Sequence, residues 1–60
     1  MADIRYAAYY NDTRGVWRDS LEEAWKDYRY YRDQPGCTHV RLIKQQTTTE
    51  ILMEEAITHV

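Results

Sequence analysis

Cys37 and His39 stand two residues apart, a potential nucleophile beside a base that could deprotonate it. On a strand, positions i and i+2 share a face, so a thiolate–imidazole pair is geometrically allowed. Catalysis would also need a group to orient the base and donors for an oxyanion, and neither is recognisable here. A small buried cysteine next to a surface histidine is the plainer reading. Adding His59 and a carboxylate would supply the raw material of a metal centre, but no C-x2-C or H-x3-H spacing gathers them. Glu54 and Glu55 are adjacent and, on a strand, point oppositely, so they make no acid pair. Two glycines leave no phosphate-cradling loop. The expectation is a protein without catalysis, cofactor or metal.

Binding chemistry is better represented. Tyr28-Arg29-Tyr30-Tyr31-Arg32 mixes rings that stack on bases with guanidinium groups that neutralise phosphates. Asp27 and Asp33 flank it and would repel phosphate. The competing reading buries Tyr28 and Tyr31, leaves Tyr30 at the boundary, and lets both arginines complement a helix C-terminus. Trp17 lies two residues beyond Gly15, between Arg14 and Arg18; it either packs inward against Tyr6 or the helix, or anchors a partner. Tyr, Trp and Arg dominate the energetics of protein interfaces. The candidate partner-binding residues are therefore Tyr9, Arg14, Trp17, Arg18, Tyr30 and Arg41.

These side chains need elements to position them. Ser20 and Glu23 spell a capping box, and Leu21, Ala24, Trp25, Tyr28 and Tyr31 follow at one-face helical spacing. Glu22 and Lys26 form a favourable i,i+4 pair. Pro35 and Gly36 end the run, which predicts a helix over about 20–34. Before it, Ile4, Tyr6, Ala8 and Tyr10 alternate with Arg5, Ala7 and Tyr9, the period of a half-buried strand. Asn11-Asp12-Thr13-Arg14-Gly15 is turn chemistry in which Gly15 can take positive φ, and Val16-Trp17-Arg18 has the length of a returning strand, giving a hairpin over 3–18. After the helix, 38–45 reads as a strand with Val40 and Leu42 on one face and His39, Arg41 and Ile43 on the other. Residues 47–60 carry two spellings. Thr49, Ile51 and Met53 alternate with Glu50, Leu52 and Glu54, whereas Thr47-x-x-Glu50 also caps a helix lined by Leu52, Met53, Ala56, Ile57 and Val60. The strand is favoured for 48–54, with a loose end after it.

The order β-β-α-β-β predicts an α+β two-layer sandwich, one helix on a three- to four-stranded, mainly antiparallel sheet. One helix covers one face. The other would hold Arg5, Ala7, Tyr9, Trp17, Arg41 and Ile43.

Sixty residues make one small domain, 1–60, near the lower limit of independent stability. Two Trp and six Tyr with no Phe mean that every aromatic carries a polar handle, which suits core edges and interfaces. A net charge of −2 argues against a strong nucleic-acid binder and against an acidic duplex mimic. A single cysteine forbids an internal disulfide. With no leader-like segment and no apolar run near membrane-spanning length, the expected setting is cytoplasmic.

The strings SLEEAW at 20–25 and VRLIKQQTTTEIL at 40–52, after a Trp-bearing hairpin, resemble a pattern of small bacteriophage proteins. The likeness covers about half the chain. It implies a phage or mobile-element origin, a host cytoplasm, and work done by binding a host protein; it assigns no functional residue. The expected function is thus a non-enzymatic interaction protein that inhibits or modulates a host or defence protein. Self-association as a homodimer is expected, because a one-sided sheet leaves apolar area exposed. The alternative is a nucleic-acid-associated protein using Arg5, Arg14, Arg18 and Arg41 on the sheet.

Overall fold

The computed structural model describes residues 3–57. Its helix α1, Leu21–Arg32, begins at the expected cap: Ser20 is extended, and its hydroxyl accepts from the Glu23 amide at 3.3 Å. Glu22 and Glu23 occupy the first turn, and Arg29 and Arg32 the last, each matched to the macrodipole. Gly36, at φ 85°, reverses the chain after Pro35.

The strands are β1 (Arg5–Tyr10), β2 (Thr13–Arg14), β3 (His39–Gln45) and β4 (Thr49–Ala56). They form one antiparallel sheet in the order β2-β1-β3-β4. The expected α+β arrangement, one helix on a three- to four-stranded sheet, is the observed one with four strands, and 49–56 is strand rather than helix.

Register separates the two faces. Tyr6, Ala8 and Tyr10 pair with Lys44, Leu42 and Val40 beneath the helix, while Arg5, Ala7 and Tyr9 pair with Gln45, Ile43 and Arg41 on the far side. The helix-side core is Ala8, Ala24, Tyr28, Cys37, Val40 and Leu42, edged by Tyr6, Tyr10, Trp25, Tyr31 and Ile57. Trp25 stacks on Tyr28 with centroids 5.0 Å apart. The Tyr28 hydroxyl donates to Glu55 Oε1 at 2.7 Å, tying α1 to β4.

Three expectations need correction. First, Val16-Trp17-Arg18 is not a continuous returning strand. Asn11 takes φ 53° and closes the turn within two residues, so pairing resumes already at Thr13–Arg14. The chain leaves the sheet after Gly15, whose amide still donates to the Ala8 carbonyl, and Arg18 rejoins it, exchanging backbone hydrogen bonds with Tyr6. Gly15 does not use positive φ; it is needed for space, because a Cβ there would lie 2.5 Å from the Tyr31 hydroxyl and 2.9 Å from the Ala8 carbonyl. Second, the alternation of β4 breaks at Leu52. Leu42 pairs with Met53 but Ile43 with Ile51, so a bulge moves Met53 to the helix side while Thr49 and Ile51 stay on the far side. Third, Leu21 shares the apolar stripe but is 45% exposed, because α1 lies over β1 and β3 and stops short of β4. The loose end expected at the C-terminus falls mostly outside the described residues; Ile57 itself is tied down, its amide donating to the Thr38 carbonyl.

Candidate interaction surface

The uncovered face of the sheet collects four of the six candidate residues. Arg14 pairs with Tyr9 across β1 and β2, and Tyr9 with Arg41 across β1 and β3, so all three share that face. Trp17 joins them, since the Arg5 guanidinium lies 3.8 Å and that of Arg14 4.8 Å from its ring centroid. Arg41 sits 5.6 Å from the Tyr9 ring. Such cation–π contacts hold an arginine in place while its N–H edges remain available to an acceptor. Trp17 is half-buried, neither core nor free anchor.

Under these side chains lies a small apolar floor. Ala7 and Ile43 pair with each other on this face, yet are only 0% and 4% exposed. Ile51, opposite Ile43, extends the apolar area outward and is exposed. The charges around it are Arg5, Arg14 and Arg41 against Glu54. Glu54 Oε2 accepts from Arg41 Nε at 2.8 Å and lies 3.2 Å from His39 Nε2. Arg5 Nε donates to Gln45 Oε1 at 2.7 Å, a neutral partner that leaves its charge uncompensated. Three arginines around one carboxylate give the face a local positive surplus despite the chain's net −2.

Two candidates lie elsewhere. Arg18 is on the helix side, where Nε and Nη2 donate to the two oxygens of Asp27 at 2.8 and 3.2 Å. The Asp27 hydrogen bond and charge raise its pKa above the ordinary value, and this bidentate pair fastens the segment before α1 onto the helix. Tyr30 is exposed on α1, edge-on to Tyr31, which in turn meets Tyr10 edge-on. The tyrosine–arginine run therefore divides among core, core edge and solvent rather than forming one platform.

The Cys37–His39 geometry is likewise divided. Cys37 is buried in the helix-side core and its thiol reaches the His39 carbonyl oxygen at 3.6 Å, while the His39 imidazole meets Glu54. Glu54 and Glu55 do point oppositely, to Arg41 and to Tyr28. Among the described residues no cluster of His, Cys, Asp or Glu could hold a metal ion, and His59 lies outside them. Among the described residues no helix is long and apolar enough to cross a membrane.

Asn11 is the structural residue that sequence reading undervalued. Its Oδ1 accepts from the Thr38 amide at 2.8 Å, the Thr38 hydroxyl at 3.1 Å and the His39 amide at 3.2 Å, while Nδ2 donates to the Gly36 carbonyl at 3.4 Å. An Asx residue in a turn announces local bonding; nothing in the string announces partners 27 residues away.

No protein-family description, curated protein or solved structure matches this chain.

Proposed function

We propose that the protein is a non-enzymatic interaction module whose uncovered sheet face, Arg5, Tyr9, Arg14, Trp17 and Arg41, binds an acidic patch on a protein partner. The observation that carries this reading is the pair of guanidinium groups held on Trp17. They present fixed donors around an apolar floor, the combination that a carboxylate-bearing protein surface rewards. Because the Trp17 ring is already occupied by arginines, a base would have to displace one of them to stack there. The resemblance to small phage proteins makes a host or defence protein, inhibited or modulated in the host cytoplasm, the concrete form of the partner.

The local positive surplus favours a second reading, a nucleic-acid-associated protein, since uncompensated arginines on one face also attract phosphate. Affinity capture from a bacterial lysate, run with wild type and Arg14→Glu side by side, separates the two. The expected result is a protein retained by wild type and lost by the variant. Nucleic acid retained in its place promotes the second reading, and identical capture by both chains contradicts the first.

A further inference from the structure

On the uncovered side of the sheet, β3 and β4 carry a single carboxylate, Glu54, which stands opposite Arg41 in the register. One of its oxygens serves two neighbours: Oε2 accepts from Arg41 Nε at 2.8 Å and lies 3.2 Å from His39 Nε2. His39 and Arg41 are two residues apart on β3 and so share this face. The side chains of His39, Arg41 and Glu54 are 30%, 35% and 43% exposed, open enough to exchange partners and protons with water.

No other ion pair reaches this cluster among the described residues. Toward β1, the Asn11 amide donates to the His39 carbonyl, and Asn11 Oδ1 accepts from the His39 amide. Tyr9, the titratable residue that β1 turns to this face, lies beside Arg41. Asp3 precedes β1 and Asp12 follows it in the turn; both are exposed, and neither pairs with a cation. From α1, Arg32 meets Glu55 on the helix side of β4, away from His39.

Histidine is the side chain whose charge ordinarily changes between about pH 5 and pH 8. While the imidazole is neutral, Arg41 alone compensates Glu54, and its charge is spent within the face. A protonated imidazole meets Glu54 as a second cation, which frees the charge of Arg41 for a partner. The reverse also holds. A partner carboxylate that draws on Arg41 leaves Glu54 to His39, and an unshared carboxylate holds a proton on the ring. The two events are linked, each favouring the other by the same factor.

We propose that His39, Glu54 and Arg41 make the arginine face pH-responsive: protonation of His39 offsets Glu54 and tightens the binding of an acidic partner, which draws one proton from solvent onto His39 as it binds. This rests on the reading of that face as the partner site and adds its regulation.

The test uses the whole chain and an aspartate-rich peptide containing a tyrosine, which stays ionised from about pH 7.5 to about pH 6. Titrations at constant ionic strength read Kd from the Trp17 indole resonance. Calorimetry in two buffers of different ionisation enthalpy counts the protons taken up. The Kd should fall about threefold at the lower pH, the scale of one exposed ion pair, with net proton uptake on binding. His39→Gln should bind as wild type does at the higher pH and show neither the tightening nor the uptake, which also separates His39 from His59. Glu54→Gln should bind more tightly than wild type at the higher pH and respond less to acidification, a second check should the His39 variant misfold. A peptide that leaves Trp17 unmoved at both pH values defeats the reading of the face and this inference with it. Binding at Trp17 with one Kd at both pH values, or a pH dependence that survives in His39→Gln, overturns the inference alone.

Discussion

At the scale of the residue, two side chains have consequences that can be checked directly. Asn11 combines a left-handed backbone with three accepted hydrogen bonds, two of them from backbone amides. Asn11→Gly relieves the backbone and still leaves the amides of Thr38 and His39 without their acceptor. It is therefore expected to destabilise the fold by about 1 kcal/mol, the net worth of a hydrogen bond whose donors water can partly reach. Asn11→Asp keeps the acceptor and should lose less. Denaturant melts of the three chains check the order. Tyr28 provides a pH signature. Burial first, and then its hydrogen bond to the Glu55 carboxylate, push its pKa from 10.0 to about 12. The folded protein thus keeps a proton that the unfolded chain loses, so this contribution is complete below pH 10 and is lost as pH rises toward 12. The thermal midpoint of wild type should fall across that window, and Tyr28→Phe should show a shallower decline over the same range.

At the scale of the element, the helix is where local and tertiary signals agree. Ser20→Ala removes the hydroxyl that accepts from Glu23 and should cost about 1 kcal/mol, lowering the melting temperature by several degrees. An unchanged midpoint would mean that Asp19 caps the helix in its place. Elements set by local chemistry were legible in the string: the Ser20 cap, the one-face stripe, and the alternation that placed Arg5, Ala7, Tyr9, Arg41 and Ile43 together away from the helix. What depends on contacts distant in sequence was not. The two-residue β2 follows from Asn11 reaching Thr38, the need for glycine at position 15 follows from Tyr31, and the β4 bulge follows from pairing with β3. Arg18 follows Trp17 in the chain yet lies on the opposite face, where the bridge to Tyr6 puts it beside Asp27. Neighbours on a strand take opposite faces, and only the register decides which is which.

At the scale of the whole molecule, a single 12-residue helix cannot cover a four-stranded sheet, and the two uncovered regions differ in character. One is basic and aromatic, the other apolar. A homodimer across the basic face would bring Arg5, Arg14 and Arg41 against their own copies while burying Trp17, Tyr9 and Ile51. Such self-association should be weak at low ionic strength and grow as salt screens the repulsion. Sedimentation equilibrium at low and high salt checks this, and a monomer under both conditions contradicts it. The indole N–H resonance of Trp17 reports partner binding at the same face more directly. Labelled protein at physiological salt is titrated in parallel with a glutamate-rich peptide containing a tyrosine and with a single-stranded oligonucleotide. The peptide should shift the Trp17 resonance together with the amides of Tyr9, Arg14 and Arg41, and the oligonucleotide should bind weakly at most. Submicromolar oligonucleotide binding with a steep salt dependence, or a peptide that leaves Trp17 unmoved, would contradict the proposed function.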